Sequence, residues 1–120
     1  MSKKTIVLGA STNPSRYSYI ATRRLHANAH EVIPVGIRQG VIEGIEIQND
    51  KPPIEDVDTV TLYLNPQRQE AYYDYILGLQ PKRVIFNPGT ENPALVKLLN
   101  ENGIEAEIAC TLVLLNLGAY

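Results

Sequence analysis

The chain has no tryptophan, one phenylalanine, one methionine and one cysteine among its 120 residues. A lone thiol allows no internal disulfide. No secretory leader is expected, because Met1-Ser2-Lys3-Lys4 runs straight into an apolar stretch. No apolar run approaches the roughly 20 residues of a membrane helix. A cytoplasmic protein that does not enter a membrane is expected. Charge of one sign is also scarce. Eleven Lys and Arg against thirteen Asp and Glu leave a net charge of -2 and a pI near 5.6. That balance argues against a dedicated nucleic-acid binder, which would show a basic face. The first strand is not followed by Gly-Lys-Ser/Thr, so a P-loop kinase is not expected. His26 and His30 are four apart, but His30 falls past the expected helix end and no third donor is near. Zinc needs three or four placed ligands, so no metal site is expected.

What is present is a globular composition, 44% hydrophobic and 20% charged. It suits one domain over residues 1–120 with its own core. The most informative stretch runs from Thr5 to Ser18. Ile6, Val7 and Leu8 end abruptly at Gly9, small and polar residues follow, and then Arg16 precedes a helix. Strand, tight loop and helix start is the arrangement by which α/β folds hold phosphate. Glycine lets the backbone come close, while N–H groups and the helix dipole favour an anion.

The remaining pattern repeats this unit. Strands are expected at 5–8, 30–35, 58–64, 83–86 and 105–109. Helices are expected at 19–28 with Ser18 as N-cap, from Pro66 to about Leu77, from Pro93 to Asn102, and over 111–117. Pro34 is read as marking the end of the second strand. Asn65-Pro66 and Asn92-Pro93 each place Asn at an N-cap and Pro at N1, and Gly103 is a C′ glycine. Val41 to Ile47 alternates weakly and suggests a small hairpin. Short apolar strands alternating with helices imply right-handed crossovers. The expected fold is a single α/β Rossmann-like doubly wound domain, with a five-stranded, mostly parallel sheet flanked by helices.

In such a sheet ligands bind beyond the C-terminal strand ends. The loops expected there are Gly9–Ser18, Pro34–Arg38, Asn65–Arg68 and Asn87–Thr90. Each carries Pro, Gly or Asn, which alone would only make turns and caps. Together, with Arg16 and Arg38 available for phosphates, they favour a binding site. The dinucleotide fingerprint is incomplete, since Ser11 and Pro14 stand where its second and third glycines would be. No acid ends the second strand to hold an NAD ribose. Arg38 instead suits an extra ribose phosphate, as in NADP or coenzyme A.

The ordered set Gly9-Ala10-Ser11, Pro14-Ser15-Arg16-Tyr17-Ser18, Val32-Ile33-Pro34-Val35, Asp56-Val57-Asp58, Asn65-Pro66, Asn87-Pro88-Gly89 and Cys110 resembles the small coenzyme A-binding Rossmann proteins. Their fold is related to the CoA-binding domain of succinyl-CoA synthetase, and the match runs nearly end to end. The resemblance implies that Gly9, Ala10 and Ser11 line the diphosphate, with Arg16 as an anion contact. Pro14 and Ser18 belong to the same segment. It places Pro34 and Arg38 near the adenosine ribose and its 3′-phosphate, and Asn65 and Pro66 on the adenine or ribose side. Asn87 and Gly89 would line the route toward pantetheine. The chain departs from the family pattern in three places. Ala29-His30 stands where many relatives have Gly-His, Asn87-Pro88-Gly89 replaces a frequent Gln-Xaa-Gly, and Thr111 replaces a proline after Cys110.

Other residues invite weighing. Cys110 reads first as a small buried residue beside Ile108 and Leu112, and second as a thiol site at a helix start, where the dipole lowers its pKa. Glu55, Asp56 and Asp58 precede the third strand, at the end opposite the expected site, and read as a solvated turn. Tyr72, Tyr73 and Tyr75 point to different helix faces and suggest core packing or an oligomer contact. Leu112 to Leu117 either completes the core or leaves an apolar patch for a homo-oligomer or a larger enzyme partner. No nucleophile–base pair stands out, so no catalytic residue is assigned. The expected function is a non-catalytic module holding CoA or an acyl-CoA at the C-terminal edge of the sheet. The alternatives are an NADP-binding enzyme or sensor, and an interaction subunit with a vestigial pocket.

Overall fold

The runs 5–8, 59–62 and 83–86 are buried residue after residue. Strands without an exposed face belong in the middle of a sheet covered on both sides. The computed structural model describes residues 2–120. Its strands are β1 (Thr5–Leu8), β2 (Val32–Val35), β3 (Val41–Ile42), β4 (Ile45–Glu46), β5 (Thr59–Leu62), β6 (Arg83–Phe86) and β7 (Glu105–Ile108). Its helices are α1 (Tyr17–Ala27), α2 (Pro66–Gln69), α3 (Tyr73–Leu79), α4 (Pro93–Glu101) and α5 (Thr111–Asn116). The main sheet has the order β2-β1-β5-β6-β7, with every pair parallel. The expected Rossmann-like architecture is therefore present. The chain steps outward from β1 to β2 and then crosses back to β5. The topology switches between β1 and β5, which is where such sheets open a crevice.

One face of the sheet is apolar. Ile6, Leu8, Val60, Leu62, Val84 and Phe86 pack with Ile76, Leu95 and Leu99 from the helices. The opposite face holds Val7, which packs with Leu25 and Leu115, together with the buried polar residues Thr5, Thr59, Thr61 and Arg83. Arg83 donates through Nε to Thr59 Oγ1 and pairs through Nη1 with Glu107, both at 3.1 Å. The Tyr120 ring covers its guanidinium, and the Tyr120 hydroxyl meets Thr5 Oγ1 at 2.6 Å.

Several boundaries shift from the expectation. Helix α1 begins at Tyr17, its N-cap is Arg16, and Ser18 is a buried residue of the first turn rather than the cap. Pro34 lies inside β2, in register with Val7, and does not end the strand. A proline fits there because β2 is an edge strand. Its carbonyl accepts from Gln48 N–H on the outer side, so the missing donor also faces away from β1. The helix expected from Pro66 is broken by a 3-10 turn at Glu70–Tyr72. After the break Tyr75 donates to Pro52 C=O and Tyr73 accepts from Asn92. The weak alternation at 41–47 is an antiparallel hairpin, Val41 opposite Glu46. Both Asn-Pro caps form: Asn65 accepts from Arg68 N–H and Asn92 from Leu95 N–H. No described helix is long and apolar enough to cross a membrane.

Candidate functional site

Gly9 ends β1 in the left-handed region, at φ 101°. A side chain there would meet the Tyr63 carbonyl at 3.0 Å. The backbones leaving β1 and β5 thus touch at the switch point, and only a residue without Cβ permits it. Gly36 does the same on the other side. A Cβ on it would lie 2.6 Å from Ala10 O, and one on Gly40 would collide with the Thr12 methyl. Asn49 fastens this second loop by donating to Gly36 C=O at 2.7 Å and Arg38 C=O at 3.2 Å. Gly36, Gly40 and Asn49 were not singled out in the sequence. The spacing of two glycines after the second strand was the signal that could have found them.

The amides of the first loop are not all free. Gly9 and Ala10 both donate to Val35 C=O at 2.9 Å. Those two N–H groups, expected to face a diphosphate, are already engaged within the sheet. Ser11 and Thr12 keep N–H groups without an acceptor among the described residues, as do Tyr17, Ser18 and Tyr19 in the first turn of α1. Arg16 offers no side-chain cap, and no acid sits in that turn. Asn13 holds the loop between them, accepting from the Ser15 N–H at 3.0 Å and hydroxyl at 2.7 Å. Pro14 is exposed on its outer bend.

Two buried amides tie the remaining loops together. Gln69 donates to Leu64 C=O and Thr90 C=O at 2.8 Å each, and accepts from Asn92. Asn87 is 2% exposed. It donates to Thr61 Oγ1 at 2.6 Å and Leu62 C=O at 2.8 Å, and accepts from Thr111 N–H at 2.9 Å. Both its donors are committed, so the Asn87 side chain positions the loops rather than facing a ligand. Asn65 likewise uses its oxygen as a helix cap, with Pro66 behind it. Gly89 is exposed at φ 91° and donates to Glu91. Cys110 is half-buried and stands at the N-cap of α5. Its neighbour Ile108 is 66% exposed, so the reading of a thiol buried beside Ile108 does not hold. Burial pushes the Tyr63 phenol well above its ordinary value, against the hydroxyls of Thr111 and Thr61, so it stays protonated beside Cys110.

The arginines divide cleanly. Arg23 pairs with Glu43, Arg24 with Asn116 and Arg83 with Glu107. Arg16, Arg38 and Arg68, in the segments that follow β1, β2 and β5, make no side-chain ion pair or hydrogen bond among the described residues. Arg68 closes the expected loop Asn65–Arg68, but only Arg16 and Arg38 were expected to meet phosphates. All three side chains are exposed, and α1 starts without a side-chain cap. Among the described residues no three His, Cys, Asp or Glu side chains gather as metal ligands.

Known structures share this arrangement. A crystal structure of an uncharacterized protein is 56% identical, with a TM-score of 0.98, covering 100% of this chain and 99% of that one. A Thermus thermophilus protein is 25% identical with a TM-score of 0.86, covering 99% and 91%. A conserved hypothetical protein from Pyrococcus furiosus is 26% identical with a TM-score of 0.81, covering 92% and 97%. No curated protein matches the chain. The CoA binding domain family matches residues 3–116, nearly all of the sheet and loops described above, and the chain belongs to that family.

Proposed function

We propose that the protein binds coenzyme A or an acyl-CoA across the switch point between β1 and β5, as a binding module without catalysis of its own. The observation that carries this is the trio Arg16, Arg38 and Arg68, left unpaired around a loop packed through Gly9 and Gly36. Coenzyme A carries a diphosphate and a 3′-phosphate. The diphosphate takes the free N–H groups of Ser11 and Thr12 and the first turn of α1, with Arg16 beside them. The ribose phosphate takes Arg38, which follows β2 where an NAD-binding fold would place an acid. Arg68 approaches from across the switch point. Asn87 and Gln69 fix the loops on the pantetheine side by tying them to one another.

Calorimetry on the reduced protein with CoA, NADP and ATP tests the reading. Saturable binding of CoA alone is expected. A charge-assisted contact contributes about 1.5–3 kcal/mol, so Arg16→Ala weakens CoA roughly 10- to 150-fold. Equal binding of NADP would replace CoA by a general ribose-phosphate ligand. No response to any of the three would remove the site from the protein's function.

A further inference from the structure

The far edge of the sheet is built for something else. Glu105 N–H donates to Lys82 C=O and Ala109 N–H to Phe86 C=O, at 3.2 Å each. Odd-numbered residues of β7 therefore aim their backbone groups at β6. Ala106 and Ile108 aim theirs outward, where no described residue meets them. Beside this open edge runs a groove of about 640 Å³, lined by Pro93, Val96, Lys97 and Glu101 of α4 and by Ile108. Residues 93, 96, 97, 100 and 101 fall on one helix face, so the groove follows α4 along its length.

Side chains alternate across β7. Ile108 turns toward the groove, and Glu107 turns to the opposite face, where Arg83 holds it. Glu91 and Glu101 border the groove, and Glu105 is exposed on the strand. Four carboxylates thus stand against Lys97, Lys82 and the already engaged Arg83, leaving the edge with an excess of acid. A second copy fits it poorly. Antiparallel pairing of Ala106 with Ile108 of another β7 would set Glu107 opposite Glu107, and like charges directly opposite are unfavourable.

We propose that the open edge of β7 and the α4 groove receive an extended segment of a partner protein, added as a sixth strand. That segment carries Lys or Arg on the residues facing Glu105 and Glu107, and apolar side chains on those facing the groove. Backbone bonds to Ala106 and Ile108 hold it, and the alternating side chains select it.

A capped peptide of three Lys-Val repeats is the probe, with three Glu-Val repeats as comparator. Amide exchange by NMR reads the edge directly. The Lys-Val peptide slows exchange at Ala106 and Ile108 at least tenfold and saturates, while the Glu-Val peptide does not. Glu105→Lys, at an exposed position, weakens the Lys-Val peptide about fivefold with an unchanged circular dichroism spectrum. Absence of protection at millimolar peptide, equal protection by both peptides, or protection that rises with protein concentration alone would overturn the proposal. The last result would assign the edge to a second copy.

Discussion

Replacing Asn87 by alanine tests whether one buried amide holds the loop cluster together. The side chain makes three hydrogen bonds, to Thr61 Oγ1, Leu62 C=O and Thr111 N–H. Thr61 keeps a second partner, since its hydroxyl lies 2.8 Å from that of Thr111. Two backbone groups lose theirs. Thr111 is fully buried at the first turn of α5, and its N–H has no other acceptor among the described residues. Leaving a buried donor or acceptor unmade costs about 1–3 kcal/mol each. Two such groups give a loss of roughly 2–6 kcal/mol. With a urea slope of about 1–3 kcal/mol per molar, the unfolding midpoint falls by at least ~0.7 M. Equilibrium urea unfolding followed by circular dichroism reads the shift, and amide exchange should place the loosening in α5 and at Leu62. A midpoint within ~0.3 M of the parent would refute the reasoning, because water would then satisfy both groups and Asn87 would be dispensable to the fold.

Ala29 holds φ 65° at an exposed position. Ala29→Gly should therefore stabilise the protein by about 1 kcal/mol, read as a higher thermal midpoint, and a lower midpoint would contradict it. Gly36→Ala sets a methyl 2.6 Å from Ala10 O, so CoA affinity should fall at least tenfold by calorimetry while the far-UV spectrum is kept; unchanged affinity would detach that loop contact from the site. His30 accepts from Lys3 N–H through Nδ1, and burial followed by the Lys3 charge depresses its pKa below 6.5. A depressed histidine contributes stability above its unfolded pKa and loses it as pH falls through the folded value. Urea midpoints should drop below pH 6.5, and less so in His30→Asn; parallel profiles for the two proteins would sink the assignment.

The strands were legible where burial made them uniformly apolar or β-branched. Residues 5–8 and 83–86 match the expected strands to the residue, and their alternation with helices gives a parallel sheet though not its strand order. The two Asn-Pro caps were legible because their chemistry is local. What was not legible depends on contacts between loops. Ser18 has the composition of a cap, but Asn13 and Ser15 turn the chain so that the helix starts two residues earlier. Pro34 has the composition of a strand end, yet an edge strand tolerates it when its carbonyl faces Gln48. The free or occupied state of the Gly9 and Ala10 amides depends on Val35, far along the chain on the neighbouring strand, and no local pattern records it. Arg68 was legible as the end of an expected loop, but its lack of an ion-pair partner depends on contacts that no local pattern records.

The two edges of the sheet are not equivalent, and this sets a limit on growth. At β2 the proline withholds a donor and Gln48 takes the carbonyl and the Gly36 N–H, so that side is closed to further strands. Within the main sheet, among the described residues, only β7 remains open. A sheet with a single open side can be capped but not chained. Any assembly made by strand addition stops after one step, and an endless ribbon of copies has no second edge on which to continue.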